Sequence, residues 1–189
     1  SKAAFGVASM PLSMLIINTM FQAEHENELI KNGAKTYKLA HFDELTGLQN
    51  RLAYSETRKN MTGNRNLGVV FADVNGLKYT NDNFGHEAGD KLLKEFSSIL
   101  LSTFRKDDIY RISGDEFVVL LRGVPKQIYE EKTENLKKVL SMQEVPMASI
   151  GFVFGNECDV KKLINEAEDL MYEDKKIFYE KHPKQSRKG

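Results

Sequence analysis

The chain has 189 residues, with 27 basic side chains against 27 acidic ones and so no formal net charge. That balance argues against general nucleic-acid binding through a basic surface. The single cysteine, Cys158, excludes an internal disulfide and fits a reducing compartment. The length suits one domain with a sizeable core plus an added segment, and no internal repeat is visible.

Ala3 to Ala23 carries no charge and includes Leu15-Ile16-Ile17, so a membrane helix is one reading. Pro11, Asn18 and Gln22, with Ser9, Ser13 and Thr19, weaken it against the usual apolar span of about 20 residues. No basic stretch and no cleavage motif marks a signal peptide. The end of an upstream sensor domain and a dimerising helix are the other readings. Glu24 to Leu39 is polar and helix-prone, with Leu29 and Ile30 offering a narrow seam. It reads as a signalling helix joining input to catalysis, with a passive linker as the alternative. The expected division is an N-terminal segment over 1–40, a catalytic domain over 41–182 and a basic tail over 183–189.

A helix is expected over Arg51–Asn60. Gly68 to Ala72 is then apolar throughout, the pattern of a strand buried on both faces, and it ends at Asp73. A carboxylate at the end of a buried strand costs free energy unless a cation or hydrogen bonds compensate it. Capping the next helix is the simpler role for such an Asp. Gly76 lets the backbone turn sharply, and Lys78 brings a charge suited to a phosphate.

Asn81, Asp82, Gly85, His86, Gly89 and Asp90 then crowd polar and flexible residues ahead of an apolar helix from about Gly89 to Thr103. Leu92, Leu93, Phe96, Ile99 and Leu100 share one face of that helix. Asn81 and Asp90 together suit a purine base: an amide meets ring acceptors, and a carboxylate accepts from N–H groups. Guanine offers N1–H and an exocyclic amine, whereas adenine has no N1–H, so the chemistry favours guanine.

From Ile109 to Leu121, two short β-prone runs flank a turn containing Ser113, Gly114, Asp115 and Glu116. Gly114 tolerates positive φ, so the turn can be tight. A tight turn pushes two adjacent carboxylates out of an apolar hairpin, where they can hold Mg²⁺ brought in with phosphates. A helix over Lys126–Leu140, a strand around Met147–Phe154 and a helix from Asp159 to about Tyr179 follow. In the last helix Val160, Leu163, Ile164, Ala167, Leu170 and Met171 keep core spacing. Lys175 to Lys188 is basic and reads as a fraying, solvated tail rather than a nucleic-acid or membrane contact.

At these residues the chain resembles the GGDEF family, the diguanylate cyclases. Asp43-Glu44-Leu45-Thr46-Gly47-Leu48-Gln49-Asn50-Arg51 is similar to that family's entry motif. Asp73 through Lys78, then Asn81-Asp82, Gly85-His86 and Gly89-Asp90, resemble its metal and guanine segment. Ser113-Gly114-Asp115-Glu116-Phe117 resembles the naming motif, with Ser for the first Gly. The resemblance spans roughly residues 41–177 through four ordered motifs.

The resemblance implies an α/β (α+β) fold, a ferredoxin-like nucleotidyl-cyclase palm with a largely antiparallel central sheet surrounded by helices. It implies Mg²⁺ (or Mn²⁺) held by Asp73, the Val74 carbonyl, Asp115 and Glu116, with Asp115 also accepting the 3′-hydroxyl proton. Asn81, Asp90 and His86 would hold guanine, Gly114 would lie against the nucleotide, and Lys78 and Lys175 would meet the triphosphate. Each of two facing subunits would hold one GTP, so a homodimer would make cyclic di-GMP and release two pyrophosphates. The catalytic domain would be cytoplasmic, its parent carrying an upstream sensor or membrane segment.

Three departures bear on activity. Ser113 brings a Cβ and hydroxyl close to the nucleotide. Asn75 stands where the family often has Asp, and Tyr179 where it often has Arg, a loss for which Lys176 is a candidate substitute. Arg105-Lys106-Asp107-Asp108 spells the family's product-inhibition pair, Arg105 and Asp108, one residue nearer the hairpin motif than usual. In the usual register Phe104 takes the Arg position, and the alternative is a solvated charged turn. The overall alternative is a catalytically silent module that binds GTP or cyclic di-GMP and relays a signal.

Overall fold

The computed structural model describes residues 12–61, 63 and 65–185. Residues 3–11 of the candidate membrane segment and 186–189 of the basic stretch lie outside them. The chain divides into two units, one ending at Ala40 and one beginning at His41.

Among the described residues the first unit consists of the helix α1 (Leu12–His41), whose last residue already belongs to the second. Among the described residues no helix is long and apolar enough to cross a membrane. Large apolar side chains on α1 stay exposed, Ile16, Met20, Ile30 and Tyr37 among them. With Ala23, Asn27 and Ala34 these keep alternating spacings of four and three along one stripe, the a/d pattern of a coiled coil. Leu29 falls off that stripe.

The second unit packs helices on both faces of a four-stranded sheet. Its elements are α2 (Arg51–Asn60), β1 (Asn66–Val74), α3 (Leu77–Phe84), α4 (His86–Thr103), β2 (Ile109–Arg111), β3 (Glu116–Arg122), α5 (Lys126–Ser141), β4 (Ala148–Asn156) and α6 (Val160–Lys181). Short 3₁₀ turns occupy Lys106–Asp108, Glu157–Asp159 and Pro183–Gln185. The sheet order is β2-β3-β1-β4 and all pairings are antiparallel.

Period-two alternation divides the core. On β1, Val70, Ala72 and Val74 join one cluster with Leu93, Phe96, Leu100 and Leu136, beneath α4 and α5. Leu67, Val69 and Phe71 join another with Tyr54, Leu163, Ala167 and Met171, beneath α2 and α6. By the same parity Asp73 belongs to the α6 face. Leu170, expected in the core, is 41% exposed, since it turns off the buried stripe of Leu163, Ala167 and Met171.

Two glycines set the spacing of the layers. A Cβ on Gly151 of β4 would collide with the Ala167 carbonyl of α6, so this helix rests directly on the strand backbone. A Cβ on Gly68 would enter the Tyr129 ring, whose hydroxyl donates to the Val69 carbonyl at 3.2 Å. Between β1 and α4 the structure has a helix, α3, where the sequence suggested only a polar, flexible stretch. Gly76 at φ 65° and Gly85 at φ 85° stand at its two ends, and both need the left-handed backbone region. The helix α4 accordingly starts at His86 and takes Gly89 into its first turns.

Candidate active site

Asp73 and Glu116 face each other across β1 and β3, on the side of the sheet covered by α6. Asp73 is 2% exposed. Its Oδ2 accepts from Lys175 Nζ of α6 at 2.5 Å, while its Oδ1 is buried with no hydrogen-bond partner. Burial pushes the Asp73 carboxyl up to about 6 against the pull of Lys175, and the charges of Asp115 and Glu116 add to the rise. Burial also raises Glu116, helped by Asp115 and Glu168 and opposed by Lys175 and Arg51. Three carboxylates from two distant stretches thus share one electrostatic neighbourhood. Beside Glu116 a cleft of about 350 Å³ opens between α2, the hairpin and α6, lined by Arg51, Arg58, Ser113, Asn165 and Glu168 among others.

Backbone ties hold the turn carrying Asp115 against the end of β1. Val74 N–H donates to the Asp115 carbonyl at 2.9 Å, and Ile112 N–H donates to the Glu116 carbonyl at 2.9 Å. In an antiparallel ladder one residue's N–H and C=O point toward the same neighbour, so the Val74 carbonyl also faces the hairpin. Gly114 does not use positive φ, contrary to the expected reason for its presence. A Cβ added there would meet nothing within 4 Å, so its lack of a side chain leaves open space above the turn. Ser113 is exposed beside it.

Sequence reasoning missed the brace beneath this turn. Arg111 donates through Nη2 and Nε to the Gly114 carbonyl at 2.7 and 3.2 Å, and through Nη1 to Asp43 Oδ1 at 2.9 Å. Thr46 donates to the same Asp43 oxygen through its N–H and its hydroxyl. Burial alone would raise Asp43, but the Thr46 and Arg111 bonds outweigh it and hold the carboxyl below its ordinary value. The available signal was the Asp43-x-x-Thr46 turn motif together with an Arg just ahead of Ser113.

The residues expected to read the base lie at the α3–α4 corner. Asn81, half-buried, rests on Gly89, where a Cβ would coincide with Asn81 Oδ1. The absence of a side chain at Gly89 therefore lets the Asn81 amide lie next to the exposed Asp90. His86 opens α4 and Lys78 lies in the first turn of α3, both exposed.

Other expected residues are engaged elsewhere. Asn75 faces β4 instead of the acidic corner: its amide donates to the Pro146 carbonyl at 3.1 Å and its oxygen accepts from Ser149 at 2.8 Å. The Asn75 side chain is thus directed away from Asp73 and Glu116. Lys176 lies over the Tyr172 ring at 4.6 Å, and Tyr179 packs edge-on against Phe178. Arg105 and Asp108 bracket the 3₁₀ turn, where burial raises the Asp108 carboxyl and Arg105 counters it. Phe104 is a 4% exposed core residue.

The acidic corner fits a small hard cation. Among the described residues no three His, Cys, Asp or Glu side chains form a ready-made cage. Mg²⁺ does not require one, because it keeps waters and binds through one or two carboxylates plus substrate phosphates. The unpartnered Asp73 Oδ1, the Asp115 and Glu116 charges nearby and the Val74 carbonyl on the hairpin side are the groups that could supply such a partial donor set.

Comparison with known proteins agrees with this fold and these motifs. Residues 40–179 match the family described as "Diguanylate cyclase, GGDEF domain". The chain belongs to the GGDEF family. It is 42% identical over 90 residues to the diguanylate cyclase DgcS of Shewanella oneidensis, covering 44% of this chain and 30% of that protein. It is also 40% identical over 100 residues to the cyclic di-GMP phosphodiesterase NbdA of Pseudomonas aeruginosa, covering 50% of this chain and 13% of that one. The chain thus spans less than a third of either relative. The coiled coil and GGDEF domain of DgcB from Caulobacter crescentus, solved with c-di-GMP, superposes at a TM-score of 0.71 with 17% identity. That match covers 88% of this chain and 95% of the chain in that structure, and shows the shared fold.

Proposed function

We propose that this chain is a diguanylate cyclase that condenses two GTP into cyclic di-GMP across a homodimer. The observation that carries the reading is the buried, unpartnered Asp73 Oδ1, set opposite Glu116 and within the field of Asp115. A protein that did not use this corner would gain stability by replacing a carboxylate so buried.

Phosphoryl transfer needs alignment and charge neutralisation more than covalent help. Bound at Asp73, Asp115, Glu116 and the Val74 carbonyl, Mg²⁺ would supply Lewis acidity toward the phosphate and the attacking hydroxyl. Asp115, on a turn held by Arg111, accepts the 3′-hydroxyl proton. Lys175, which holds Asp73 in this structure, and Lys78 on α3 would meet the phosphates. Asn81 accepts and donates at the guanine edge, while Asp90 accepts from N1–H and the exocyclic amine; His86 lines the same pocket. Gly114 leaves room for the nucleotide over the hairpin.

One site holds one nucleotide, so a second copy must supply the other. The exposed α1 stripe supports this. With Met20, Asn27 and Ala34 at a and Ile16, Ala23, Ile30 and Tyr37 at d, a single a-position Asn favours one register. Ser113 and Tyr179, with the phosphodiesterase relative, keep a silent GTP- or cyclic di-GMP-binding module as the second reading. Incubation with Mg²⁺ and GTP across protein concentration, followed by chromatography, separates the two. Cyclic di-GMP is expected, and Asp115→Ala should lower its formation by about 10³-fold or more with the circular dichroism unchanged. No product at high protein concentration would leave the silent module.

A further inference from the structure

The described residues after α6, 182–185, form a cap and a short turn. His182 caps the helix, its N–H donating to the Phe178 carbonyl at 2.9 Å and its ring tilted over the Phe178 ring at 4.7 Å. Phe178 is itself buried, so the cap is anchored in the core. Pro183–Gln185 then makes a 3₁₀ turn, closed by Gln185 N–H donating to the His182 carbonyl at 3.0 Å.

This turn delivers the Gln185 side chain onto the Gly76 turn. A Cβ on Gly76 would meet Gln185 Oε1 at 2.5 Å, Cδ at 3.4 Å and Cβ at 3.8 Å. Gly76 is buried even though Lys78, just beyond it, is exposed. The Gly76 turn directly follows Asp73 and Val74 and leads into Lys78, so it sits between the acidic corner and the first cation of α3. Helix α6 and its extension therefore touch this strand end twice, through Lys175 on Asp73 and through Gln185 on Gly76.

We propose that Pro183–Gln185 is an autoinhibitory latch, lying across the Gly76 turn and competing with the substrate triphosphate for it. This rests on the GTP-binding reading above. An amide oxygen resting on the glycine takes the space through which a phosphate oxygen would approach the turn. The nucleotide then binds only the fraction of molecules whose latch is open, and its apparent affinity falls by that fraction. The segment makes its backbone hydrogen bonds to α6 and within itself, through His182 and Gln185, and none of these belongs to the sheet, so opening requires no unfolding of the sheet.

The test uses the full chain, Gln185→Ala and the double variant Pro183→Gly/Gln185→Ala, with binding of Mg²⁺–pyrophosphate and of Mg²⁺–GTP measured by calorimetry. Both ligands should bind about threefold more tightly to Gln185→Ala and up to about tenfold more tightly to the double variant. Hydrogen exchange at Gly76 and Leu77 should rise in both variants without ligand. Unchanged affinity with GTP still bound would overturn the latch alone, and weaker affinity would make Gln185 a substrate contact, overturning it equally. If neither ligand binds any of the three proteins, the GTP reading falls and the latch with it.

Discussion

The acidic corner and the α3–α4 corner are built on opposite principles. Asp73, Val74 and the Asp115 turn are carried by the central strand and its hairpin, tied by ladder bonds and braced by Arg111 and Asp43. Asn81, His86 and Asp90 stand on a short surface helix and the start of its neighbour, positioned by glycines at 76, 85 and 89. The first region accepts an electrostatic cost in exchange for fixed geometry. The second has little desolvation to overcome and relies on backbone shape. The proposed function divides its tasks accordingly, with phosphate alignment assigned to the rigid region and base recognition to the exposed one.

Replacing the buried charge is the strongest way to break this contrast. Under the proposed function, Asp73→Asn should lower cyclic di-GMP formation by about 10³-fold or more, because it removes the proposed metal donor. The same variant should raise the melting temperature of the metal-free protein at pH 7. The carboxyl rises from an ordinary value of 3.8 to about 6 on folding, which costs about 3 kcal/mol when it must be ionised. A variant that loses both activity and stability would show that the Lys175 pair outweighs burial. At the exposed corner the expected loss is smaller and of another kind. Asn81→Ala should raise the KM for GTP by about 10- to 100-fold, with little change in melting temperature, since the amide lies on the surface over Gly89.

Acidity sharpens the comparison last. A carboxyl raised by folding binds its proton more readily in the native state than in the unfolded one. Its contribution therefore disfavours the native state as pH rises from about 4 to about 6, and the penalty stays constant above that. Mg²⁺ competes with that proton, so its affinity should climb up to about tenfold per pH unit below 6 and level off above 7. Titration of the ion at pH 5, 6 and 7 checks this; a flat profile would remove Asp73 from the donor set.

Strongly patterned elements were legible in the sequence. The bounds of α2, the buried run of β1, the acidic hairpin and the apolar stripes of α4 and α6 follow from alternation and helical spacing. The helix α3 was not, because Asn81, Asp82 and Asn83 favour turns by propensity and it is glycine geometry and packing on α4 that make them helical. Leu170 kept the right residue type but a marginal angle, so periodicity alone placed it inside. The pairing of Asp73 with Lys175 and of Arg111 with Asp43 joins residues remote in the chain, which local pattern does not reveal. The direction of Asn75 depends on which strand flanks the turn, and that strand is β4, which local pattern does not reveal.

The direct seating of α6 on Gly151 has a mechanical consequence. At that one point no side chain separates the Ala167 carbonyl from the strand backbone, so the middle of α6 cannot approach the sheet any further, and the same helix carries the Lys175 ammonium about two turns on. The position of that ammonium over Asp73 is therefore set by the seating of the helix on β4 as well as by its own ion pair.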